Sequence, residues 1–388
     1  MIFEAHPKAA ITKMIGFNLP TLVGNEFDYI RQALERSHLS GNGHFTRACQ
    51  ALLSAQLGGL GTLLTHSCTG ALEMAAILAN LGPGDEVIMP SFTFTSTANA
   101  VALRGAIPVF IDIRADTLNL DERLIEAAIT PRTRAICVVH YAGVAADMDT
   151  IMEIAQRRGL VVIEDAAQAM HASWKGQPLG SFGDFSAFSF HETKNIIAGE
   201  GGALAVRDRA AAERAEIIWE KGTNRAQFQR GEVSKYTWVD IGSSYLPSEM
   251  TAAFLLAQLE AGPSITTARL AAWNRYHAAF AGLEQAGSLR RPVVPAPCTH
   301  NGHIYYILAP DAAARDRALV GLKERGVSAV MHYVPLHSSP AGLRLGRADG
   351  PLPLTDTLAA RLIRLPMHPQ LTADIQDQVV DAVRAVLA

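Results

Sequence analysis

Leu160-Val161-Val162-Ile163-Glu164-Asp165-Ala166-Ala167-Gln168 is an apolar run that ends in two carboxylates and a carboxamide. Four consecutive apolar residues suit a strand covered on both faces, as strands of a parallel sheet are. The polar residues fall at its carboxyl end, where open α/β sheets place their ligands. An Asp at this point is equally an ordinary helix N-cap, and the run alone leaves both readings open.

Similar short apolar runs surround it at 62–66, 86–90, 107–113, 134–140, 184–190 and 202–206. Helical periodicity falls between them at 70–80, 96–104, 121–129 and 148–158. This alternation predicts an α/β fold with a mostly parallel sheet flanked by helices. Past Ala210 the pattern turns helical, with helices expected at 247–260 and 264–283, and a proline-rich connection follows at 291–297. The remainder reads as a smaller α+β region, with strands near 303–308 and 327–331 and helices near 312–325 and 373–387. The expected division is a large domain over 15–260 and a small C-terminal domain over 261–388, with no internal repeat.

With 388 residues, 49% of them hydrophobic, the chain can bury a sizeable core. A net charge of -3 gives no electrostatic reason to expect nucleic acid or an anionic membrane as partner. No apolar run is long enough to span a bilayer. Met1–Met14 carries Glu4, His6, Lys8 and Lys13 and lacks the apolar centre of a signal peptide. Cys49, Cys68, Cys137 and Cys298 are too few and too dispersed for a disulfide framework or a zinc site. They read as free thiols in a reducing compartment, so a soluble cytoplasmic protein without a metal is expected.

Downstream of the opening run, Ser186-Ala187-Phe188-Ser189-Phe190-His191-Glu192-Thr193-Lys194-Asn195 leaves an apolar strand for a polar turn, and Gly199-Glu200-Gly201-Gly202 follows. A lysine just past a buried strand, with glycines that let the backbone bend, is placed to hold an aldehyde as a Schiff base. An isolated lysine in a loop is a solvated surface group; this one has company. Asp165 lies 194 − 165 = 29 residues upstream, enough for a turn, an excursion and the next strand. The two groups can therefore face one ring, the amine at its aldehyde and the acid at its pyridinium nitrogen, as pyridoxal phosphate (PLP) requires. Thr65-His66-Ser67-Cys68-Thr69-Gly70-Ala71-Leu72 reads strand, small polar turn, helix. Such a helix N-terminus suits a phosphate, and it is also an ordinary Ser/Thr cap. Ser189 offers another hydroxyl, or is a serine satisfied by backbone. After the strand at 86–90, Phe92 or Phe94 could stack on a cofactor ring.

Taken together, Ser67–Leu72, Glu164–Gln168 and Ser189–Asn195 resemble the DegT-type sugar aminotransferase family of fold-type I PLP enzymes, and the resemblance runs from roughly Ile15 to the C-terminus. Gly43-His44-Phe45-Thr46-Arg47, His140–Ala145, Glu220–Arg225 and Tyr236–Trp238 with Asp240–Leu246 resemble the branch that aminates C4 of a dTDP-4-keto-6-deoxy sugar. The resemblance implies that Lys194 carries PLP, that Asp165 pairs with the pyridine nitrogen and that Gln168 bonds the ring's phenolic oxygen. It assigns the phosphate to the turn Cys68-Thr69-Gly70 with Ser189, and favours Phe94 over Phe92 for stacking. L-glutamate is the implied amino donor and a dTDP-keto sugar the acceptor. A homodimer with shared active sites is implied too. His332 and Arg225 are the candidate substrate contacts, with Lys221 beside the latter. One departure is visible. Where many relatives carry a Gly-Tyr-Asn-Tyr-Arg-like stretch reaching the neighbouring subunit's cofactor phosphate, this chain has Gly242-Ser243-Ser244-Tyr245-Leu246. Competing expectations are amination at C3, or at C4 with the opposite stereochemistry, and a PLP-binding regulatory protein. The related dehydratases replace the lysine by histidine, which disfavours that branch here.

Overall fold

Strand Val161–Asp165 lies inside an eight-stranded sheet of the order Gly61–Thr65, Gly202–Val206, Phe185–Ser189, Val161–Asp165, Thr133–Val139, Glu86–Pro90, Ile107–Ile111, Arg347–Ala348. The computed structural model describes residues 14–387, so the expectation about the segment before Met14 lies outside the described residues. Only Gly202–Val206 runs against its neighbours; the other pairings in the sheet are parallel. The strand ends therefore gather along one edge, and that edge carries the site.

The apolar runs are continuous because both faces are covered. Ile88 and Val162 point into one core cluster, with helices His44–Gln56, Met148–Arg158 and Glu249–Glu260. Val87, Met89 and Ile163 point into the other, with helices Cys68–Leu78, Thr95–Ala102 and Arg209–Trp219. Alternate residues thus serve opposite layers, each fully buried aliphatic side chain contributing about 1.5–3 kcal/mol.

Helix His44–Gln56 shows how the segments lock together. Its N-terminus has no side-chain cap of its own. Glu249, from a helix two hundred residues later, accepts instead from the amides of Gly43 (3.0 Å), Phe45 (2.8 Å) and Thr46 (3.0 Å). A Cβ on Gly43 would lie 2.4 Å from the Glu249 carboxyl, so only glycine admits this cap.

A third core cluster packs helices Gly262–Ala279, Ala312–Glu324 and Ala373–Leu387 over the antiparallel pair Tyr306–Leu308 and Leu362–Arg364. Here the expectations need correction. The strand expected near 327–331 is reduced to single bridges at Val327 and Val330, after which the chain bends, Tyr333 taking φ 31°. The strand expected at 303–308 begins only at Tyr306, because Asn301 and His303 turn inward to polar partners. The helix expected over 264–283 breaks at Phe280. The far C-terminal region also returns to the main sheet, Arg347–Ala348 pairing with Val109–Phe110.

Candidate active site

Thr65, Gly202 and Ser189 lie in one row across the sheet, and Asp165 pairs with Ala187 on one side and Val139 on the other. Asp165 is 5% exposed and begins no helix, which removes the N-cap reading. Its Oδ2 accepts from Thr97 Oγ1 at 2.7 Å and its Oδ1 from the Ala167 amide at 3.1 Å. An ionised carboxylate has room for about four acceptor contacts, so capacity is left for a further donor.

Lys194 follows the strand Phe185–Ser189 in a turn closed by its own amide on the His191 carbonyl (2.9 Å). Burial pushes its ammonium below the usual lysine range; Cys68 and Asp165 pull the other way and Arg364 adds to the downward push. A lysine poised toward the neutral form can act as nucleophile and base. The turn is pinned from behind, since Asn195 donates to the Asn301 carbonyl (3.0 Å) and accepts from His303 Nδ1 (2.9 Å).

At the helix N-terminus, Ser67 Oγ accepts from the Gly70 amide (3.1 Å) and the Ser67 carbonyl from the Ala71 amide (3.2 Å). The anion donors left in the turn are thus the amides of Cys68 and Thr69, while Gly70 serves the cap. The Thr69 hydroxyl meets Ser96 Oγ at 2.7 Å, and among the described residues Ser189 Oγ meets only the His191 amide, at 3.4 Å. Gly202 is required below this turn, because a Cβ there would sit 2.4 Å from the Cys68 nitrogen. Burial keeps the Cys68 thiol protonated, and all four cysteines are free.

The two phenylalanines separate cleanly. Phe92 is 1% exposed and packs edge-on against Tyr141 and Tyr333. Phe94 is 58% exposed, with its ring 6.4 Å from Tyr333. Gln168 accepts from the Ala142 amide (2.7 Å) and donates to Tyr333 Oη (2.9 Å), keeping one amide hydrogen free. His332 stacks on Tyr333 at 3.6 Å and its Nδ1 meets Tyr141 Oη at 2.8 Å; burial pushes its imidazole well down, so it is neutral near pH 7. His191 is turned to Thr193 and Glu200. Arg225 is not brought to this cluster within the chain. Its guanidinium, half exposed, sits 3.8 Å from Glu220 beside a groove of about 290 Å³ that it shares with Lys221, Asn42 and Ser244. Tyr245, in the departing stretch, stacks over His66 and reaches Glu73 (3.4 Å).

Sequence reasoning missed Thr97, Tyr333, the Asn195–His303 pair and Arg364. Only Arg364 leaves a local signal, as a charge inside the apolar Leu362-Ile363-Arg364-Leu365. Among the described residues no cluster of side chains suits a metal, and no helix is long and apolar enough to cross a membrane.

Residues 20–384 match the DegT/DnrJ/EryC1/StrS aminotransferase family. The chain is 34% identical to the spore coat polysaccharide biosynthesis protein SpsC of Bacillus subtilis, over 96% of each chain. It is 33% identical to the GDP-perosamine synthase of Caulobacter vibrioides, covering 95% of this chain and 97% of that one. The aminotransferase TlmJ of Streptoalloteichus hindustanus superposes with a TM-score of 0.88 at 32% identity, covering 96% of this chain and 99% of that one. The fold is that of fold-type I PLP enzymes, and the residues present suit the cofactor. A desolvated lysine faces an under-satisfied buried carboxylate, with free amides and hydroxyls a few residues away on the same sheet edge. With the family match spanning nearly the whole chain, that agreement makes this protein a member of the DegT/DnrJ/EryC1/StrS aminotransferase family, a PLP-dependent sugar aminotransferase.

Proposed function

We propose that the enzyme moves the amino group of L-glutamate to C4 of dTDP-4-keto-6-deoxy-D-glucose, giving dTDP-4-amino-4,6-dideoxy-D-galactose and 2-oxoglutarate. The observation that carries the transfer chemistry is the desolvated Lys194 amine beside the Asp165 carboxylate at one strand edge. The choice of sugar rests on the stretches that resemble the C4-aminating branch. One of them, His140–Ala145, supplies Tyr141, which holds His332 at the site.

In this reading Lys194, Asp165, Gln168, Ser189, Phe94 and the Cys68–Thr69 amides hold the cofactor. When bound, PLP supplies an electron sink that lets the donor's Cα give up a proton. Lys194 Nζ, neutral once free, would take the proton from that Cα on one face and hand it to the cofactor's C4′, and in the opposite half-reaction would move a proton from C4′ to C4 of the sugar. Asp165, fixed by Thr97 and the Ala167 amide, keeps a negative charge where a protonated ring nitrogen needs it. His332, neutral and stacked on Tyr333, presents Nε2 to a sugar hydroxyl. The small domain of 261–388 supplies that wall, and the large domain of 15–260 supplies the cofactor edge.

A homodimer completes the proposal. Tyr236, Trp238, Val239 and Ile241 are exposed close in sequence to Arg225, and an apolar patch of this kind favours burial against a second copy. Arg225 and Lys221 then serve the partner's site. The similarity to a GDP-perosamine synthase favours a second reading, in which the acceptor is a GDP-linked keto sugar. Incubation of the PLP-loaded enzyme with L-glutamate and either dTDP-4-keto-6-deoxy-D-glucose or its GDP-mannose-derived counterpart separates the two. NMR of the product should show an axial C4 amine on the dTDP sugar; product from the GDP sugar alone refutes the first reading.

A further inference from the structure

Asn195, Asn301 and His303 are buried polar residues that the proposed chemistry leaves unused. They form one connected strut behind Lys194. Asn195, next in sequence to Lys194, donates from Nδ2 to the Asn301 carbonyl (3.0 Å) and meets His303 Nδ1 with its Oδ1 (2.9 Å). Asn301 Nδ2 donates to the carbonyls of Gln168 and Met170 (2.8 Å each), and its Oδ1 accepts from the His303 amide (3.0 Å). Behind the strut, Arg269 donates to the carbonyls of Gly302 (3.2 Å) and His303 (2.6 Å). The turn that carries Lys194 and the turn that carries Gln168 are thus gripped together, across 106 and 133 residues of chain.

A third turn is caught as well. Ala142, whose amide holds Gln168 Oε1 (2.7 Å), takes φ 60°, and Gly143 takes φ 75°. An alanine keeps that left-handed conformation only where its surroundings impose it. A Cβ on Gly143 would lie 1.9 Å from Asn301 Oδ1, so the Asn301 side chain fills the space beside this turn. The hydrogen-bond directions also fix the imidazole. The Asn195 nitrogen serves the Asn301 carbonyl, so the Asn195 oxygen accepts and His303 Nδ1 carries the proton. Burial pushes that imidazole well down, and Lys194, Arg269, Arg364 and His332 add to the push, so it is neutral near pH 7. An uncharged donor suits this place, since a carboxylate here would pair with Lys194 and keep its amine charged.

We propose that His303 is a positioning residue for the transfer reaction: through Asn195 and Asn301 it holds the Lys194 turn and the Gln168 turn at the separation that lets both face the cofactor ring. A misplacement of about 1 Å in such a site lowers the rate about 10²-fold. Loss of one strut bond frees the lysine turn to move by that much while the sheet edge beneath it stays.

This inference rests on Lys194 and Gln168 holding the cofactor, and the test separates the two. His303→Leu removes the Nδ1 donor, and His303→Asn keeps a donor near the same point. Both are compared, PLP-loaded, with Asn195→Ala and with the double variant of His303→Leu and Asn195→Ala. In His303→Leu, kcat per folded molecule should fall about 10- to 10²-fold with both substrate KM values within about threefold, and His303→Asn should recover most of the loss. Because His303 acts through Asn195, the double variant should be no slower than the slower single one. The circular dichroism of the visible cofactor band, read without substrate, should fall to about half or less in His303→Leu and recover in His303→Asn. If kcat and dichroism of His303→Leu stay within about twofold of the parent, whatever its urea midpoint, the strut serves stability alone and the proposal is overturned. Losses that multiply in the double variant overturn it too. Should His303→Leu fail to fold, Asn195→Ala, which cuts both strut bonds, carries the same comparison. A parent without a visible band, or a band that survives Lys194→Ala, would instead sink the cofactor reading itself.

Discussion

Glu164 and Asp165 are adjacent on one strand, face opposite sides of the sheet and live in opposite conditions. Glu164 is fully buried and saturated. It accepts from His140 Nε2 (2.9 Å) and from the amides of Gly180 (2.8 Å), Phe182 (2.7 Å) and Gly183 (2.6 Å). Burial alone would raise its pKa, but the His140 bond and the Gly183 and Gly180 amides outweigh it and hold the carboxyl below its usual range. Asp165 has two donors and spare lone pairs, and it looks toward Lys194. A buried acid with every lone pair used is building the fold; one with capacity left is waiting for a ligand.

The comparison breaks most visibly at the lysine on the ligand side. Lys194→Ala should remove the visible absorption of the PLP-loaded enzyme and lower kcat by about 10⁴-fold or more, read by stopped-flow and product analysis. Asp165→Asn keeps the shape but loses the charge, and kcat should fall by about 10²- to 10³-fold while the urea midpoint barely moves. Glu164→Gln should do the reverse. It strands the donors of Gly180, Phe182 and Gly183 on a weaker acceptor, and unfolding in urea should show a loss of about 3 kcal/mol with near-normal turnover per folded molecule.

Glu164 also gives the comparison a pH signature. Its folded pKa lies below the unfolded one, so its contribution is complete above the unfolded value, near pH 4.3, and fades as pH falls through the folded value. The parent should lose stability over that acid range more steeply than Glu164→Gln; parallel curves would contradict the assigned structural role. The smallest effect belongs to Phe94, whose exposed ring has little to do with stability. Phe94→Ala should weaken PLP retention about three- to tenfold by equilibrium dialysis, whereas Phe92→Ala should cost about 3–5 kcal/mol of folding free energy instead.

Much of the candidate site's sheet edge was legible in order along the chain. The strand ending in Asp165, the turn at Ser67–Gly70 and the lysine after Ser189 each carry a local pattern, and parallel topology brings their ends to one edge. The long-range contacts that hold these residues in place were not legible. Tyr333 reaches Gln168 across 165 residues, and His303 reaches Asn195 across 108. Nothing in the spacing of either pair announces the contact. Thr97 is a similar case, since a threonine in a helical first turn is common and its bond to Asp165 spans 68 residues.

From the sequence by itself came the α/β layering and the strand-end positions of the lysine, the acid and the Ser67–Gly70 turn, because hydrophobic period and turn chemistry act over a few residues. Tertiary packing alone decided how deeply Phe92 is buried and how exposed Phe94 is, and that the Arg364 guanidinium meets no acid among the described residues. Burial and the pairing of polar groups are properties of what the rest of the chain leaves around a side chain, and that is set only when distant segments close on one another.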